Sequence, residues 1–208
     1  MRVVIVGGGV VGLGCARALT RRGLAPSVLE RAPAGAVAPR PFMLPYHGFD
    51  LLADVGALDR VRSLGWDVPP HGPDGAPVAI SVAFGLVHEV LAEGVEVAYE
   101  HEVVGLLREA HRVTGVRVRH GGRERDLPSD LVVACDGVRS PVREMAGLPA
   151  RLTPAEGAHL SFLSPAVIDR PFALHYQSDG RQVGLLGWPQ GSAGWWDIDR
   201  VGRAAALA

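Results

Sequence analysis

Residues 2–6 (RVVIV) are a short apolar run rich in β-branched side chains, the pattern of a strand buried on both faces. A glycine cluster follows, then apolar or small residues at helical spacing over 13–22, closed by Gly23. PSVLE at 26–30 reads as the next strand, so the first thirty residues predict a β-α-β unit with parallel strands. Residues 32–45, with Pro33, Pro39, Pro41 and Pro45, read as an extended loop, and 49–64 as a helix broken at Gly56. Residues 66–77, with Pro69, Pro70, Pro73 and Pro77, read as a second loop, and 82–93 as a helix. From Val95 to Leu127 the period switches to alternation (VEVAY, EVVGLLRE, VTGVRVRH, RERDL), which predicts an antiparallel meander turning at Gly94, Ala110-His111 and Gly121-Gly122. LVVA at 131–134 is another buried strand, with a helix after it from about Ser140 to Ala146. Beyond Gly147 the chain is strand-like (HLSFL, PFALHYQ, RQVGLLGW, GWWDID), then helix-prone over 201–208. The predicted fold class is α/β: a Rossmann-like parallel sheet with an added meander, then a β-rich region.

Composition narrows the function classes. The chain has 208 residues, of which 48% are hydrophobic and 21% charged, so it can bury a core without disulfide staples. Its formal net charge is −1 and no stretch gathers the basic residues a nucleic-acid footprint needs. No run reaches the roughly 18 apolar residues of a membrane span. The N-terminal run superficially resembles a signal peptide, with Ala16-Arg17-Ala18 as the cleavage site, but glycines and arginines interrupt it. The expectation is a cytoplasmic protein acting on a small molecule, with neither nucleic acid nor membrane as partner. Cys15 and Cys135 read as buried reduced thiols, and His47, His88, His101, His111 and His120 as surface or capping residues without metal-ligand spacing. No Ser-His-Asp arrangement is legible, and no catalytic residue is assigned.

The chemistry-bearing signal is Gly7-Gly8-Gly9-Val10-Val11-Gly12, which fits G-x-G-x-x-G between a strand and a helix. Gly7 permits the tight turn, Gly9 removes a Cβ where a pyrophosphate approaches, and Gly12 lets helix and strand pack closely. Val11 lies in the same loop, where phosphate meets free N–H groups and the positive end of the helix dipole. Glu30 follows Gly12 by 18 residues at a strand end, placed to accept hydrogen bonds from both ribose hydroxyls of an adenosine. An acid there repels a 2′-phosphate, so the nucleotide expected is FAD or NAD rather than NADP.

The stretch VVIVGGGVVGLGCARALTRRGLAPSVLERAP, including the pair Glu30-Arg31, resembles the FAD fingerprint of the FAD-dependent aromatic hydroxylases, the single-component flavoprotein monooxygenases similar to para-hydroxybenzoate hydroxylase. Cys135-Asp136-Gly137-Val138-Arg139-Ser140-Pro141-Val142-Arg143 resembles the same family's second motif, which is linked to both FAD and NAD(P)H. The resemblance implies an FAD-binding domain over 1–149, with 66–80 reaching into the substrate domain, and an incomplete β-rich substrate domain over 150–208. It implies FAD as cofactor and NADH or NADPH as reductant. The cofactor-binding residues it marks are Gly7, Gly9, Val11, Gly12, Glu30, Arg31, Arg40 near the ribityl chain, Val103 at the adenine, Asp136 and Gly137. Arg139 and Arg143 would supply charge near phosphates or hold their loop. Two features depart from the family: Ser81-Val82-Ala83-Phe84 has no Arg where one often contacts FAD, and the later G-D motif is missing from the 208 residues.

The implied activity is hydroxylation of an aromatic or polyketide-like small molecule, with electrons from NAD(P)H and oxygen from O₂. The alternative is a truncated or split monooxygenase half that binds FAD but needs a complementing chain, or is non-catalytic; a homodimer is a further form it could take. A third reading, a halogenase or reductase of the same superfamily, is weakened for halogenases because the sequence contains no Lys. Trp188, Trp195 and Trp196 read as sheet packing rather than substrate wall.

Overall fold

In the computed structural model, which describes residues 1–37, 40–69, 75, 77–151, 153 and 158–198, the N-terminal apolar run becomes strand β1 (Val3–Val6), buried along its whole length. Alternate side chains leave a strand on opposite faces. Val4 and Val6 therefore join Leu29, Val103, Val116, Val118 and Val142 in one apolar cluster, while Val3 and Ile5 join Ala16 and Val28 in another. The strand is central in a parallel sheet whose other members are β2 (Ser27–Leu29), β6 (Val97–Ala98) and β10 (Leu131–Ala134), in the order β10-β1-β2-β6. Helix α1 (Val10–Arg21) supplies the Ala16 side of the second cluster. Its Arg17 guanidinium donates to the carbonyls of Val90 at 3.1 Å and Glu93 at 2.8 Å.

The first cluster is closed by a meander of β7 (Glu102–Glu109), β8 (Arg112–His120) and β9 (Arg123–Pro128). Its second turn is Gly121-Gly122, both with positive φ (55° and 74°), the conformation that matches the twist of a tight hairpin. The meander begins later than the alternation predicts. Val97–Ala98 pairs in parallel with Val28–Leu29 and so belongs to the other sheet. Period-2 alternation marks a strand but not its partner, and the chain leaves this pairing only at Glu100, a non-glycine residue at φ 58°.

These elements form one unit, Met1–Val37 with His88–Arg151; the second unit is Ala38–Val87 with Leu152–Ala208. In the second unit β3 (Pro41–Pro45), β4 (Trp66–Val68) and β5 (Ala79–Ala83) make an antiparallel sheet in the order β3-β5-β4. Three expectations are corrected here. The proline-rich stretch 32–45 contains a strand, tolerated because its prolines sit at the ends of an edge strand where a missing N–H costs little. The loop expected from residue 66 opens with β4, which pairing with β5 selects. The helix expected from Val82 starts at Phe84 as α4 (Phe84–Ala92), after a strand, because a short apolar run carries no period of its own. The helix interrupted at Gly56 is two, α2 (Phe49–Asp54) and α3 (Leu58–Leu64), with Gly56 at φ 68°.

A four-stranded antiparallel sheet completes this unit: β11 (Ala158–Ser164), β12 (Phe172–Tyr176), β13 (Gln182–Trp188) and β14 (Gly191–Ile198), in the order β11-β14-β13-β12. Leu186, Trp188 and Ala193 form its core, with Ala83, Phe172 and Trp195 packed against them. Trp188 and Trp195 are thus packing residues, whereas Trp196 points to the opposite face and is 45% exposed. The prolines at 39, 70 and 73 and the helix-prone stretch 201–208 lie outside the described residues.

Two measurements follow from this packing. Ile5 is fully buried between the parallel sheet and α1, so Ile5→Ala should lower the unfolding free energy by about 2–5 kcal/mol in urea titration. At the edge of the same sheet, the Arg2 backbone N–H and guanidinium donate to Asp130 at 2.7 and 3.2 Å and hold its carboxyl below the usual range. A depressed carboxyl stabilises the fold above its ordinary value of about 3.9 and stops doing so as pH falls through its folded value. Asp130→Asn should therefore lower the melting temperature at neutral pH, with the gap to the parent closing in acid; a gap independent of pH would contradict this.

Candidate functional site

The residues that carry chemistry in the sequence converge on one cleft of about 250 Å³ beyond the C-terminal ends of β1, β2 and β10. That edge of an open α/β sheet is where ligands bind, because connecting loops diverge there and helix N-termini point into the gap. All its lining residues come from the first unit.

Its floor is the turn after β1. The Gly7 N–H donates to the Leu29 carbonyl at 2.8 Å, and the Cys135 N–H to the Val6 carbonyl at 2.7 Å, so the ladders run up to the turn on both sides. Gly7 has φ 108°, and a Cβ on it would strike the carbonyl oxygen of Cys135. A Cβ on Gly12 would collide with the Gly7 carbonyl oxygen. Gly9 differs from both: a Cβ there would meet nothing within 4 Å, and the residue lines the cleft. Its bare backbone thus leaves room for a ligand rather than for packing. Gly9 is also the N-cap of α1, with no side-chain cap and no acidic residue in the first turn, so nothing on the helix itself offsets its positive end.

Glu30 stands at the end of β2. Its Oε2 accepts from the Gly8 N–H at 2.7 Å and its Oε1 from the Ala32 N–H at 2.8 Å. Each carboxylate oxygen keeps acceptor capacity for hydroxyl donors in the cleft, since two amides use only part of four lone-pair sites. The Gly8 carbonyl is bonded in turn by the His88 imidazole, whose Nε2–H donates at 2.8 Å. His88 is half-buried and serves the glycine loop, which its lone place on α4 did not announce.

On the far side, Asp136 Oδ2 accepts from the Val142 N–H at 2.9 Å, and Ser140 Oγ from the Arg143 N–H at 2.9 Å. Both acceptors satisfy orphan amides at the start of α5 (Pro141–Met145). The Arg143 guanidinium donates twice to the Val138 carbonyl at 3.1 Å, so it holds the loop of the Asp136-Gly137 motif, and Gly137 takes φ 90° within that loop. Between the two sides lies Cys135, whose thiol is pushed up first by burial, then by Cys15 and Asp136. It therefore stays protonated and is a poor nucleophile at neutral pH.

Of the sequence-marked residues, Gly7, Gly9, Glu30, Arg31, Val103, Asp136 and Gly137 line this cleft. Val103 is at once core, 7% exposed within the β1–meander cluster. Gly12 acts from beneath, by letting α1 approach. Val11 is 72% exposed on the first turn of α1 and is not among the lining residues. Arg40 belongs to the second unit, its guanidinium 4.2 Å from the centre of the Phe84 ring. His101 and Glu102, which no spacing singled out, also line the cleft. An open cradle at a bare helix start, a carboxylate one strand away and a second acid across the gap fit the ADP half of a dinucleotide.

Comparison with known proteins agrees with this geometry. The family model described as FAD binding domain matches residues 82–186, and that described as FAD dependent oxidoreductase matches residues 2–39, which hold the glycine loop and Glu30. A flavin-dependent monooxygenase of Mycobacteroides abscessus is 33% identical over 187 residues, covering 71% of this chain and 37% of that protein. A 3-(3-hydroxy-phenyl)propionate/3-hydroxycinnamic acid hydroxylase of Burkholderia cenocepacia is 33% identical over 171 residues, covering 70% of this chain and 31% of that protein. The crystal structure of Pseudomonas aeruginosa PqsL in complex with 2-aminobenzoylacetate superimposes with a TM-score of 0.83 at 20% identity, over 99% of this chain and 62% of that one, which establishes the shared fold. The chain thus spans about a third of the length of these curated relatives. Since the first model covers just over half of the 208 residues and the second takes in the glycine loop, the chain belongs to the FAD-binding-domain family.

Proposed function

We propose that this chain holds FAD in the cleft above β1 and works as an FAD-dependent monooxygenase, drawing electrons from NADH or NADPH and hydroxylating an aromatic or polyketide-like small molecule. The observation that carries the reading is the open space over Gly9, flanked by Glu30 and the Asp136-Gly137 loop. In this reading the first amides of α1 donate to the pyrophosphate, and Gly9 lets it approach the backbone. Glu30 accepts from the ribose hydroxyls, and its charge excludes a 2′-phosphate. His88 steadies the glycine loop from behind, and Arg143 holds the Asp136-Gly137 loop in place. When bound, FAD supplies the redox chemistry, taking up electrons from a reduced nicotinamide and activating O₂; the chain binds and orients it. The Mycobacteroides relative supports the monooxygenase reading, and the Burkholderia hydroxylase supports an aromatic substrate.

A second reading, a flavin-holding half that acts with a complementing chain or a second copy, is favoured by one observation. Among the described residues, strand β10 stands at the edge of the parallel sheet, and its Leu131 is 41% exposed. An open strand edge is a template for pairing with another chain.

Purified chain should be yellow, or become so with added FAD, and should then oxidise NADH or NADPH faster when a phenol is present. A chain that cannot take up FAD would sink both readings; flavin without nicotinamide oxidation would select the second. Gly9→Val should abolish FAD binding while leaving the melting temperature of the unliganded chain nearly unchanged, because the added side chain enters open space. Glu30→Ala should weaken binding by about 10- to 100-fold, the value of hydrogen bonds to a charged acceptor, as read by calorimetric titration.

A further inference from the structure

The cleft has a wall that the glycine loop and its acid do not explain. After β6 the chain continues along residues 30–32: the Glu100 N–H donates to the Ala32 carbonyl at 3.1 Å and the His101 N–H to the Glu30 carbonyl at 2.9 Å. Glu100 takes φ 58°, a costly conformation for a residue with a side chain, and the turn it makes sets His101 beside Glu30. The imidazole of His101 is then fixed from two directions. Its Nδ1–H donates to the Tyr99 carbonyl at 2.7 Å. One face is covered by the ring of His120, with centroids 4.1 Å apart and planes 10° from parallel. The pairing of Glu102 with Arg119 places these two histidines as the next cross-strand pair, and His120 is anchored by its Nδ1–H to the Glu100 carbonyl at 3.1 Å. His101 lines the cleft, whereas His120 lies behind it and is exposed.

Position along the cleft says what such a ring would meet. The His101 N–H is bonded to the carbonyl of Glu30, the residue read as meeting the sugar, and His101 shares the lining of the cleft with the apolar Val103 and Leu29. A planar, pre-oriented ring with one face already occupied and an apolar floor beside it suits a planar heteroaromatic base. We propose that His101, backed by His120, is the stacking platform for the purine ring of the bound dinucleotide. The proposal rests on the reading that this cleft holds the ADP half of FAD, and it adds the residue that selects a base there.

The test uses the full chain and two probes, ADP and inorganic pyrophosphate, with affinities measured by calorimetric titration and FAD affinity by fluorescence quenching. His101→Ala should weaken ADP and FAD about 10-fold while leaving pyrophosphate unchanged, since only the base has lost a partner. His101→Phe should restore ADP affinity, and His120→Ala should weaken it by a smaller factor, roughly 3-fold, through loss of the backing ring. Unchanged ADP affinity in His101→Ala would overturn the proposal. So would a matching loss for pyrophosphate, or a failure of the Phe variant to rescue. If the parent chain takes up neither ADP nor FAD, or if Glu30→Ala leaves ADP affinity intact, it is the nucleotide reading itself that falls. A His101 variant without effect, beside a Glu30 variant that loses binding, removes only the platform.

Discussion

Helix α1 can begin where it does because Gly12 has no side chain. A Cβ at that position would overlap the carbonyl oxygen of Gly7, and a Cβ on Gly7 would overlap the carbonyl of Cys135. These two contacts bring three pieces of backbone together: the end of β1, the start of α1 and the end of β10. The arrangement has an electrostatic consequence. The uncapped, acid-free first turn of α1 opens on the same gap as the strand ends, so the helix's partial positive charge faces a cleft. Without the close approach the helix would stand off the sheet, and neither the cradle at Gly9 nor the cluster around Ala16 would form.

Glu30 distributes that constraint to the rest of the first unit. Its backbone pairs with Ala98 and His101, and its carboxylate holds the amides of Gly8 and Ala32. One residue thus joins the glycine loop, the end of β2 and the entry to the meander. A carboxylate already oriented by two amides loses less freedom on meeting a ligand, which is how preorganisation contributes to affinity. Across the cleft Asp136, Ser140 and Arg143 spend their hydrogen bonds on the start of α5 and on the loop before it, rather than on open solvent. The two acids are therefore alike in design: each secures a backbone turn and presents it to the cleft.

In the second unit, packing rather than polarity sets the arrangement. The indole of Trp195 lies on Gly184 and the ring of Phe162 on Gly194, from opposite faces of the four-stranded sheet, so glycines make room for aromatic side chains on both sides. One face closes on Leu186, Trp188 and Ala193, while the other leaves Leu160, Phe162 and Trp196 partly exposed.

How much of this was legible in the sequence depends on how local its cause is. Strand β1, helix α1, the turn glycines and Glu30 could be read directly, because tight turns, helix starts and buried runs leave signatures within a few residues. The four strands of the tail and the three of the meander were legible for the same reason. The partners of β6, the strand hidden among prolines at 41–45 and the strand at 66–68 were not, since pairing between distant segments leaves no mark on either one. The same limit held in the site. Asp136-Gly137 was visible as a motif, yet its use as a helix cap was not. His88 and His101 carried no signal at all, because each gained its place only when a distant turn was brought beside it. What the sequence by itself determined was the glycine cradle and its acid, whose chemistry is short-range; which side chains wall that cradle was decided only by the tertiary structure, through backbone hydrogen bonds between segments dozens of residues apart.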